Sequence, residues 1–303
     1  MACSRVLVVW NKVSGQDTQE EDRKIVLSFL QEKNVEFDIR DWTDPHQIPR
    51  WVEEAEKNGT DLIISAGGDG TAVAIADSLI RGKSSINLGV LPLGTSNLLA
   101  LSLGLPPGLE DALEDIWNGK KSCIDAGYVR EKDSYFLVGA SIGAHAEVVR
   151  RTSREMKRKM GFFAYLLAAV RTLLGHSSRK VTIKSDRGSW RWKTDSIEVM
   201  NTTGFLAAED SLVPHVDPGD GLLDLIALRL ATVLDMAGML LHALRGRKFR
   251  PRWTEHRQIR TLSIQPSKPM ELQLDGETMG KTPATIEVQK SVLTVMVPEQ
   301  STP

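Results

Sequence analysis

The sequence predicts an α/β protein in two parts, a first half built on a largely parallel sheet and a second half rich in antiparallel strands. Up to about residue 125, short apolar runs alternate with amphipathic segments, which is the pattern of βαβ units. After residue 125, apolar and polar residues alternate within most segments, which is typical of strands with one buried face. We therefore expect one domain over residues 1–125 and a second over residues 126–289.

In the first half, each predicted strand is a short apolar run, as expected for strands buried on both faces of a parallel sheet. Helices are predicted where apolar residues recur at helical spacing, as Ile25, Val26, Phe29 and Leu30 do. The predicted strands are residues 6–10, 35–39, 61–65 and 86–91. The predicted helices are the segment around residues 25–30 and residues 48–57, 71–80, 98–103 and 110–117.

In the second half, the pairs Trp190 and Trp192, and Leu272 and Leu274, show the two-residue alternation of half-buried strands. The predicted strands are residues 135–140, 181–184, 190–200, 222–228, 259–264, 270–274 and 284–288. Two inserted helices are predicted at about 144–174 and 232–245.

The composition is that of an ordinary globular protein. Of 303 residues, 41% are hydrophobic and 25% charged, which excludes a disordered, collagenous or coiled-coil chain. The longest apolar run, residues 161–170, is about half of what a bilayer requires. Two cysteines cannot build a disulfide framework, and the first residues lack the pattern of a signal peptide. We therefore expect a cytoplasmic protein.

The charge is unevenly distributed. The formal net charge is −1, which argues against a general nucleic-acid binder. Residues 150–159 and 245–257 each carry a local charge of +5, leaving −11 on the remainder. The first segment runs into an apolar predicted helix, a combination typical of interfacial membrane surfaces. We therefore expect these two segments to bring the protein to an anionic membrane surface, peripherally and during turnover.

The strongest motif is Gly67-Gly68-Asp69-Gly70-Thr71, which lies directly after a buried strand and directly before a helix. Glycines let the backbone turn tightly and approach a ligand closely. The free N–H groups and positive dipole of the helix start favour phosphate. Beside that phosphate, Asp69 would need Mg²⁺ to reconcile the two negative charges. The motif therefore predicts a phosphate site rather than a simple turn.

Two further loops follow neighbouring strands. The loop Pro92-Leu93-Gly94-Thr95-Ser96-Asn97 follows the fourth strand, and a loop beginning at Asn11 follows the first. Because adjacent parallel strands end at the same edge of the sheet, the three loops should converge, which favours a nucleotide. The chain contains neither a Walker A loop nor a complete dinucleotide-binding fingerprint.

These motifs, in this order, resemble the diacylglycerol kinase catalytic-domain family, which includes soluble bacterial lipid kinases, sphingosine kinases and ceramide kinases and is related to NAD kinases. The resemblance also covers Asp125-x-Gly127, Ser141-x-Gly143-x-x-Ala146, Pro214-x-x-x-Pro218-x-Asp220-Gly221-x-Leu223 and Asp275-Gly276-Glu277. It implies a nucleotide-binding α/β domain, to which the chain end at about 290–303 returns, and a β-sandwich that holds the lipid acceptor. It further implies ATP as phosphoryl donor, Mg²⁺, and phosphorylation of a lipid hydroxyl such as that of diacylglycerol in phospholipid metabolism.

The resemblance also implies roles for single residues. Asp69 corresponds to the active-site aspartate that reaches Mg²⁺ through water, and Glu277 to the general base. Asp217, Asp220 and Leu222 correspond to a second Mg²⁺ site. The positions that correspond to the nucleotide site are Asn11, Thr43, Gly67, Gly68, Asp69, Gly70, Thr71, Ala72, Val73, Gly94, Thr95 and Asn97. The chain departs from the family at Lys12, which replaces a proline, and at Val73-Ala74, where a polar or acidic residue is usual. Lys12 could bind phosphate or be solvated.

Three alternatives remain open. Gly139-Ala140-Ser141-Ile142-Gly143 fits the G-x-S-x-G elbow of hydrolases, with Asp220 or Asp224 and His242 or His256 following in the required order. That motif opens the β-rich half, however, and an elbow requires a parallel sheet. An NAD kinase would share the glycine-rich motif around Asp69. A nucleotide or lipid sensor without catalysis is the third, and Val73-Ala74 is the feature that favours it.

Overall fold

The computed structural model describes residues 4–12, 19–44, 46–143, 179–194, 196–203, 216–228 and 254–299. The chain forms two compact units. The first unit comprises Met1–Ala126 and Lys290–Pro303, and the second comprises Gly127–Gln289.

The first unit alternates strands and helices. Its strands are β1 (Arg5–Asn11), β2 (Glu36–Trp42), β3 (Leu62–Gly67), β4 (Asn87–Pro92) and the first part of β5 (Lys120–Val129). Its helices are α1 (Gln19–Glu32), α2 (Gln47–Lys57), α3 (Asp69–Gly82), α4 (Leu98–Ser102) and α5 (Leu109–Asn118). The parallel strands β2-β1-β3-β4 lie in that order. Every residue of β3 and β4 is buried, which explains their continuous apolar runs.

The carboxyl ends of these four strands lie in one register. Asn11 pairs with Trp42, Trp10 with Ala66, and Gly67 with Pro92. The segments that follow β1, β2, β3 and β4 therefore leave the sheet side by side. The order 2-1-3-4 reverses direction between β1 and β3, and such a switch point is where open α/β sheets bind ligands.

The second unit consists mainly of antiparallel strands. They are β6 (Ser134–Phe136), β7 (Gly139–Gly143), β8 (Arg179–Ser185), β9 (Gly188–Thr194), β10 (Ser196–Met200), β11 (Leu223–Leu228), β12 (Thr254–Ile259), β13 (Thr261–Pro266), β14 (Glu271–Leu274), β15 (Glu277–Lys281) and the first half of β16 (Ala284–Val297). One sheet has the order β12-β11-β10-β7-β14-β15, and the other contains β16-β13-β8-β9. One apolar core includes Ile142 and Leu225 of the first sheet and Ile183 and Ile264 of the second, so the unit is a sandwich. The predicted fold class is confirmed.

Three predicted strands of the second unit are wrong because each is divided in two. Segment 135–140 breaks between β6 and β7, where the Asp275 carboxylate accepts the backbone N–H groups of Leu137, Val138 and Gly139. Segment 259–264 breaks at Arg260, whose N–H donates to the Asp186 carboxylate. In both cases a carboxylate distant in sequence takes donors that a continuous ladder would use.

The third divided strand is segment 190–200, which forms β9 and β10. The Thr194 hydroxyl accepts the Ser196 N–H and donates to the Ser196 carbonyl, so the backbone of Ser196 is turned toward that side chain.

Strand β5 was not predicted from the sequence. In the first unit its buried Asp125 accepts the N–H of Ser291 on β16, while Val295 of β16 pairs with Leu88 of β4.

The two inserted helices predicted at 144–174 and 232–245 lie outside the described residues, as do the basic segment 150–159 and residues 245–253 of the other. Among the residues that are described, no helix is both long and apolar enough to cross a bilayer.

Candidate active site

The glycine-rich motif forms the turn between β3 and α3. Gly68 occupies the N-cap position of α3, and the helix begins at Asp69. The Thr71 N–H donates to the Gly68 carbonyl at 2.9 Å. Because glycine has no side chain to cap the first turn, the N–H groups of Asp69 and Gly70 have no acceptor among the described residues and are left for a ligand. The Asn11 side-chain amide donates to the Thr71 hydroxyl at 2.9 Å and joins the end of β1 to this turn. A Cβ at Gly67 would lie 2.4 Å from that hydroxyl, so this position requires glycine.

The loop after β4 folds around Asn97. Its side-chain oxygen accepts the Gly94 N–H at 2.7 Å, and its amide donates to the carbonyls of Pro92 and Gly94. Asn97 has a φ of +49°, a left-handed conformation that asparagine tolerates well. A Cβ at Gly94 would lie only 2.4 Å from the Gly68 Cα. The backbones of the two glycine-bearing loops are therefore in direct contact.

Asp69 connects the same two loops through a hydrogen bond. Its Oδ1 accepts the backbone N–H of Leu99 at 2.9 Å, at the start of α4. Its other oxygen, Oδ2, has no hydrogen-bond partner among the described residues. Asp69 thus serves as a remote helix cap with one oxygen and keeps the other for a ligand. Sequence reasoning missed the capping role because the two residues are 30 positions apart.

The remaining predicted nucleotide positions in the first unit lie around this edge. Gly70 and Thr95 are exposed, Val73 is half-buried, and Ala72 is buried at the start of α3. Thr43 is exposed directly after β2, and its N–H donates to the Gln47 side chain at 3.3 Å. The structure therefore brings the predicted nucleotide residues to one sheet edge, while their part in binding stays a prediction.

Lys12 is exposed and forms an ion pair with a carboxylate at this edge. Its Nζ lies 2.7 Å from Asp41, which also pairs with Arg23. Burial pushes the pKa of Asp41 upward, but the hydrogen bonds from Lys12 and Arg23 outweigh it and hold the pKa below its ordinary value. Asp41 is thus ionised, and because it is shared by Lys12 and Arg23, the three side chains together keep a net charge of +1 at the edge.

In the second unit, the predicted metal residues lie on the loop before β11. Asp217 accepts the Gly219 N–H, and Asp220 accepts the Leu222 N–H, both at 2.8 Å. The Gln258 amide lies 3.4 Å from the other Asp220 oxygen. No cluster of three or more carboxylate, histidine or cysteine side chains with metal-site geometry occurs among the described residues. Cation binding here would therefore depend on backbone carbonyls as well as on Asp220.

Glu277 lies far from that loop within the second unit. It is the first residue of β15, after the tight turn at Asp275-Gly276, whose φ values are +44° and +93°. Its side chain is exposed. Four inter-strand steps separate β15 from β11, which places Glu277 on the order of 20 Å from the Asp220 loop. The predicted base and the predicted second metal site are therefore separate places.

The serine of the hydrolase-like motif lies inside a strand. Ser141 is the central residue of β7, paired with both β10 and β14, and its hydroxyl donates to the Glu198 carboxylate. A nucleophile elbow requires a sharp strand-to-helix turn at the serine, so the elbow is absent. His256 contacts Asp224, and His242 lies outside the described residues.

Two family profiles match this chain. Residues 5–129 match the family described as diacylglycerol kinase catalytic domain. Residues 139–297, more than half of the chain, match the family described as YegS C-terminal NAD kinase beta sandwich-like domain. The two matches follow one another along the chain and together span both units.

Individual relatives agree with the profiles. A protein of Bacillus subtilis (strain 168) named diacylglycerol kinase is 26% identical over 299 residues, covering 98% of each chain. An Escherichia coli O9:H4 (strain HS) protein named Probable lipid kinase YegS is 26% identical over 289 residues, covering 94% of each. The crystal structure of a diacylglycerol kinase from Bacillus anthracis str. Sterne matches with a TM-score of 0.80, 22% identity and 98% of each chain covered. At that identity the likeness establishes a shared fold.

Proposed function

The chain belongs to the diacylglycerol kinase catalytic-domain family, and from this we propose that it is an ATP-dependent, Mg²⁺-requiring lipid kinase that phosphorylates a lipid hydroxyl such as that of diacylglycerol. One observation supports the proposal most strongly. The ends of four adjacent parallel strands share one register, and the loops that follow two of them, β3 and β4, are in backbone contact through Gly68 and Gly94.

The phosphate-binding part of the proposal uses the N-terminus of α3. Gly68 leaves the first N–H groups of the helix uncapped, and Gly70 adds no side chain to the exposed first turn. Oriented N–H groups and the helix dipole favour a polyphosphate at this point. Thr43 follows β2 and Gly94 follows β4, and three inter-strand spacings separate these two strands. The edge between the two residues is therefore roughly 14 Å long, which is enough for a nucleotide to lie along it.

The charge of the polyphosphate assigns a role to Asp69. Its Oδ1 accepts the Leu99 N–H and its Oδ2 is without a partner in the described part of the chain, so one carboxylate oxygen is available to a ligand. An oxygen of this kind fits a hydrated Mg²⁺, a hard cation that keeps most of its waters. When bound, Mg²⁺ would neutralise the developing charge on the β- and γ-phosphates. The loop of Asp217, Asp220 and Leu222 is proposed to hold a second Mg²⁺ through oxygen ligands.

The acceptor chemistry requires a base. We assign it to Glu277, which is exposed and has no side-chain partner among the described residues. As the lipid oxygen bonds to the γ-phosphorus, the bond from that phosphorus to the oxygen bridging to the β-phosphate breaks, and Glu277 takes the hydroxyl proton. ADP and the lipid phosphate are the products.

The acceptor is held in a bilayer, so the enzyme must reach a membrane. Segments 150–159 and 245–257, each with a charge of +5, are proposed to contact the anionic surface of the cytoplasmic leaflet during turnover. The protein would then be cytoplasmic and peripherally attached.

A lipid panel tests the proposal. Purified protein is given Mg²⁺ and γ-labelled ATP with mixed micelles of diacylglycerol, ceramide, sphingosine or monoacylglycerol, and with NAD in a parallel arm. We expect label on one of the lipids, lost in Asp69→Asn and retained in Asp77→Asn, whose aspartate on the same helix pairs with Arg81. Label on NAD alone would establish an NAD kinase instead. Nucleotide binding without transfer to any acceptor would establish a sensor.

A further inference from the structure

The hairpin of β8 and β9 presents a strongly basic face. Residues 179–194 contain six basic side chains and one acidic side chain, Asp186. Lys180, Lys184, Arg191 and Lys193 alternate with the buried residues of the two strands and are all exposed. These four cations form the basic face of the hairpin.

Among the described residues, the basic face has no counter-charge. None of its four side chains has a hydrogen-bond or ion-pair partner within the described ranges. Lys180 lies directly opposite Lys193 in the ladder, and like charges in such pairs destabilise a sheet. The Asp186 carboxylate is already occupied by the N–H groups of Arg260 and Thr261. The sheet therefore holds a repulsive arrangement that an external anion would relieve.

The neighbouring strand, β13, contains no acidic residue beside the basic face. On the outward side, Lys184 faces Ser263 of β13, and Thr182 faces Gln265. The other side of the hairpin is anchored in the core through Val181, Ile183 and Trp192. The result is a cationic surface that no described side chain compensates.

Protection of the sheet edge does not explain this surface. Charged residues commonly guard an edge strand against pairing with other chains, and β9 is the edge. Lys180 and Lys184, however, lie on β8, which is paired on both sides.

Single-stranded nucleic acid is a less suitable partner for this surface. It would require exposed aromatic side chains on the cationic surface, but Trp190 and Trp192 pack against the core.

We propose that the basic face docks the protein on an anionic lipid bilayer, the surface from which it takes its substrate. This inference rests on the proposed lipid kinase function and adds to it a surface formed by residues other than those of segments 150–159 and 245–257. Each lysine or arginine near an anionic leaflet adds to binding, and the attraction falls off within a Debye length of the surface.

The experiment is vesicle sedimentation without nucleotide, with phosphatidylcholine vesicles that contain or lack phosphatidylglycerol. We expect salt-sensitive binding to the anionic vesicles only. The double variant Lys184→Gln with Arg191→Gln should bind about thirtyfold more weakly. The matched variant Lys24→Gln with Lys83→Gln removes the same charge from exposed positions of the first unit and should bind like the wild type.

A second pair separates docking from folding. Lys180→Gln with Lys193→Gln should weaken vesicle binding and raise the thermal unfolding midpoint, because the facing lysines no longer repel each other. The inference would be overturned if the Lys24→Gln with Lys83→Gln control lost as much vesicle binding as the hairpin variants. It would also be overturned if both hairpin variants bound vesicles like the wild type. A hairpin-dependent preference for DNA over anionic vesicles at the same salt concentration would overturn it as well.

Transfer to a short-chain, water-soluble diacylglycerol separates this inference from the proposed function. Hairpin variants that keep that transfer but lose vesicle binding support both proposals. Hairpin-dependent vesicle binding without any transfer would refute only the kinase, and transfer without vesicle binding would refute only the docking surface.

Discussion

The carboxylate of Asp275 gives the sharpest test of how the second unit is held together. It accepts backbone N–H groups from Leu137, Val138 and Gly139 at 2.7, 2.9 and 2.8 Å, and Leu137 and Val138 are buried. Asp275→Gly removes both acceptor oxygens, and with them all three hydrogen bonds, while keeping a residue suited to the φ of +44°. A hydrogen bond to a charged group contributes about 1.5–3 kcal/mol, so the loss of three such bonds would cost at least about 4.5 kcal/mol if they were additive. Rehydration of the half-buried site reduces this, and we expect a loss of about 3–5 kcal/mol.

Urea unfolding at neutral pH measures the effect. Asp275→Asn keeps the oxygen that serves Val138 and Gly139 and should lose only about 1–2 kcal/mol. The matched control is Asp133→Gly, an exposed aspartate with φ of +47° that accepts a bond from Tyr128, and it should stay within about 1 kcal/mol. If Asp275→Gly is no less stable than Asp133→Gly, the carboxylate does not cause the break between β6 and β7.

Two further predictions concern aspartates of the first unit. Asp69→Ala should lose about 1 kcal/mol of stability in urea unfolding because the Leu99 N–H loses its cap, whereas Asp69→Asn keeps an oxygen there and should lose less. Both variants should lose phosphoryl transfer, and an active Asp69→Asn would contradict the charge-based role. The backbone N–H of Ser4, opposed by burial and aided by the Ser4 hydroxyl, holds the pKa of Asp61 below its ordinary value. The stability that Asp61 adds is therefore present above its ordinary pKa of about 4 and is lost on acidification. The difference in stability between wild type and Asp61→Asn should narrow as the pH falls below that value, and a constant difference would contradict this.

The fold class could be predicted from local sequence patterns because whole strands of the first unit are uniformly buried. Strands β3 and β4 are buried throughout, are mostly apolar and end at Gly67 and Pro92, so their position and the parallel arrangement could be predicted. The breaks next to Val138 and at Arg260 could not, because each depends on a carboxylate more than 70 residues away in the chain. Local periodicity carries no information on such partners.

In the candidate site too, local sequence predicted some features, whereas others depend on residues distant in the chain. The glycines of the β3–α3 turn were recognisable because a ligand-approaching turn requires them. The contact of Gly68 with Gly94, the pairing of Lys12 with Asp41 and the capping by Asp69 all arise from tertiary packing. Sequence reasoning found the edge where the residues meet, while the structure shows which atoms remain available there.

Nucleotide affinity measured by calorimetry tests the central claim most directly, since it requires neither lipid nor turnover. A non-hydrolysable ATP analogue with Mg²⁺ should bind the wild type, and Gly94→Ala should weaken binding at least about tenfold, because the new Cβ would lie 2.4 Å from the Gly68 Cα and force the loops apart. Gly82→Ala, at the far end of α3 with nothing within 4 Å of its Cβ, should bind like the wild type. Equal affinity in the two variants, or no binding to the wild type, would contradict the assignment of this sheet edge as the nucleotide site.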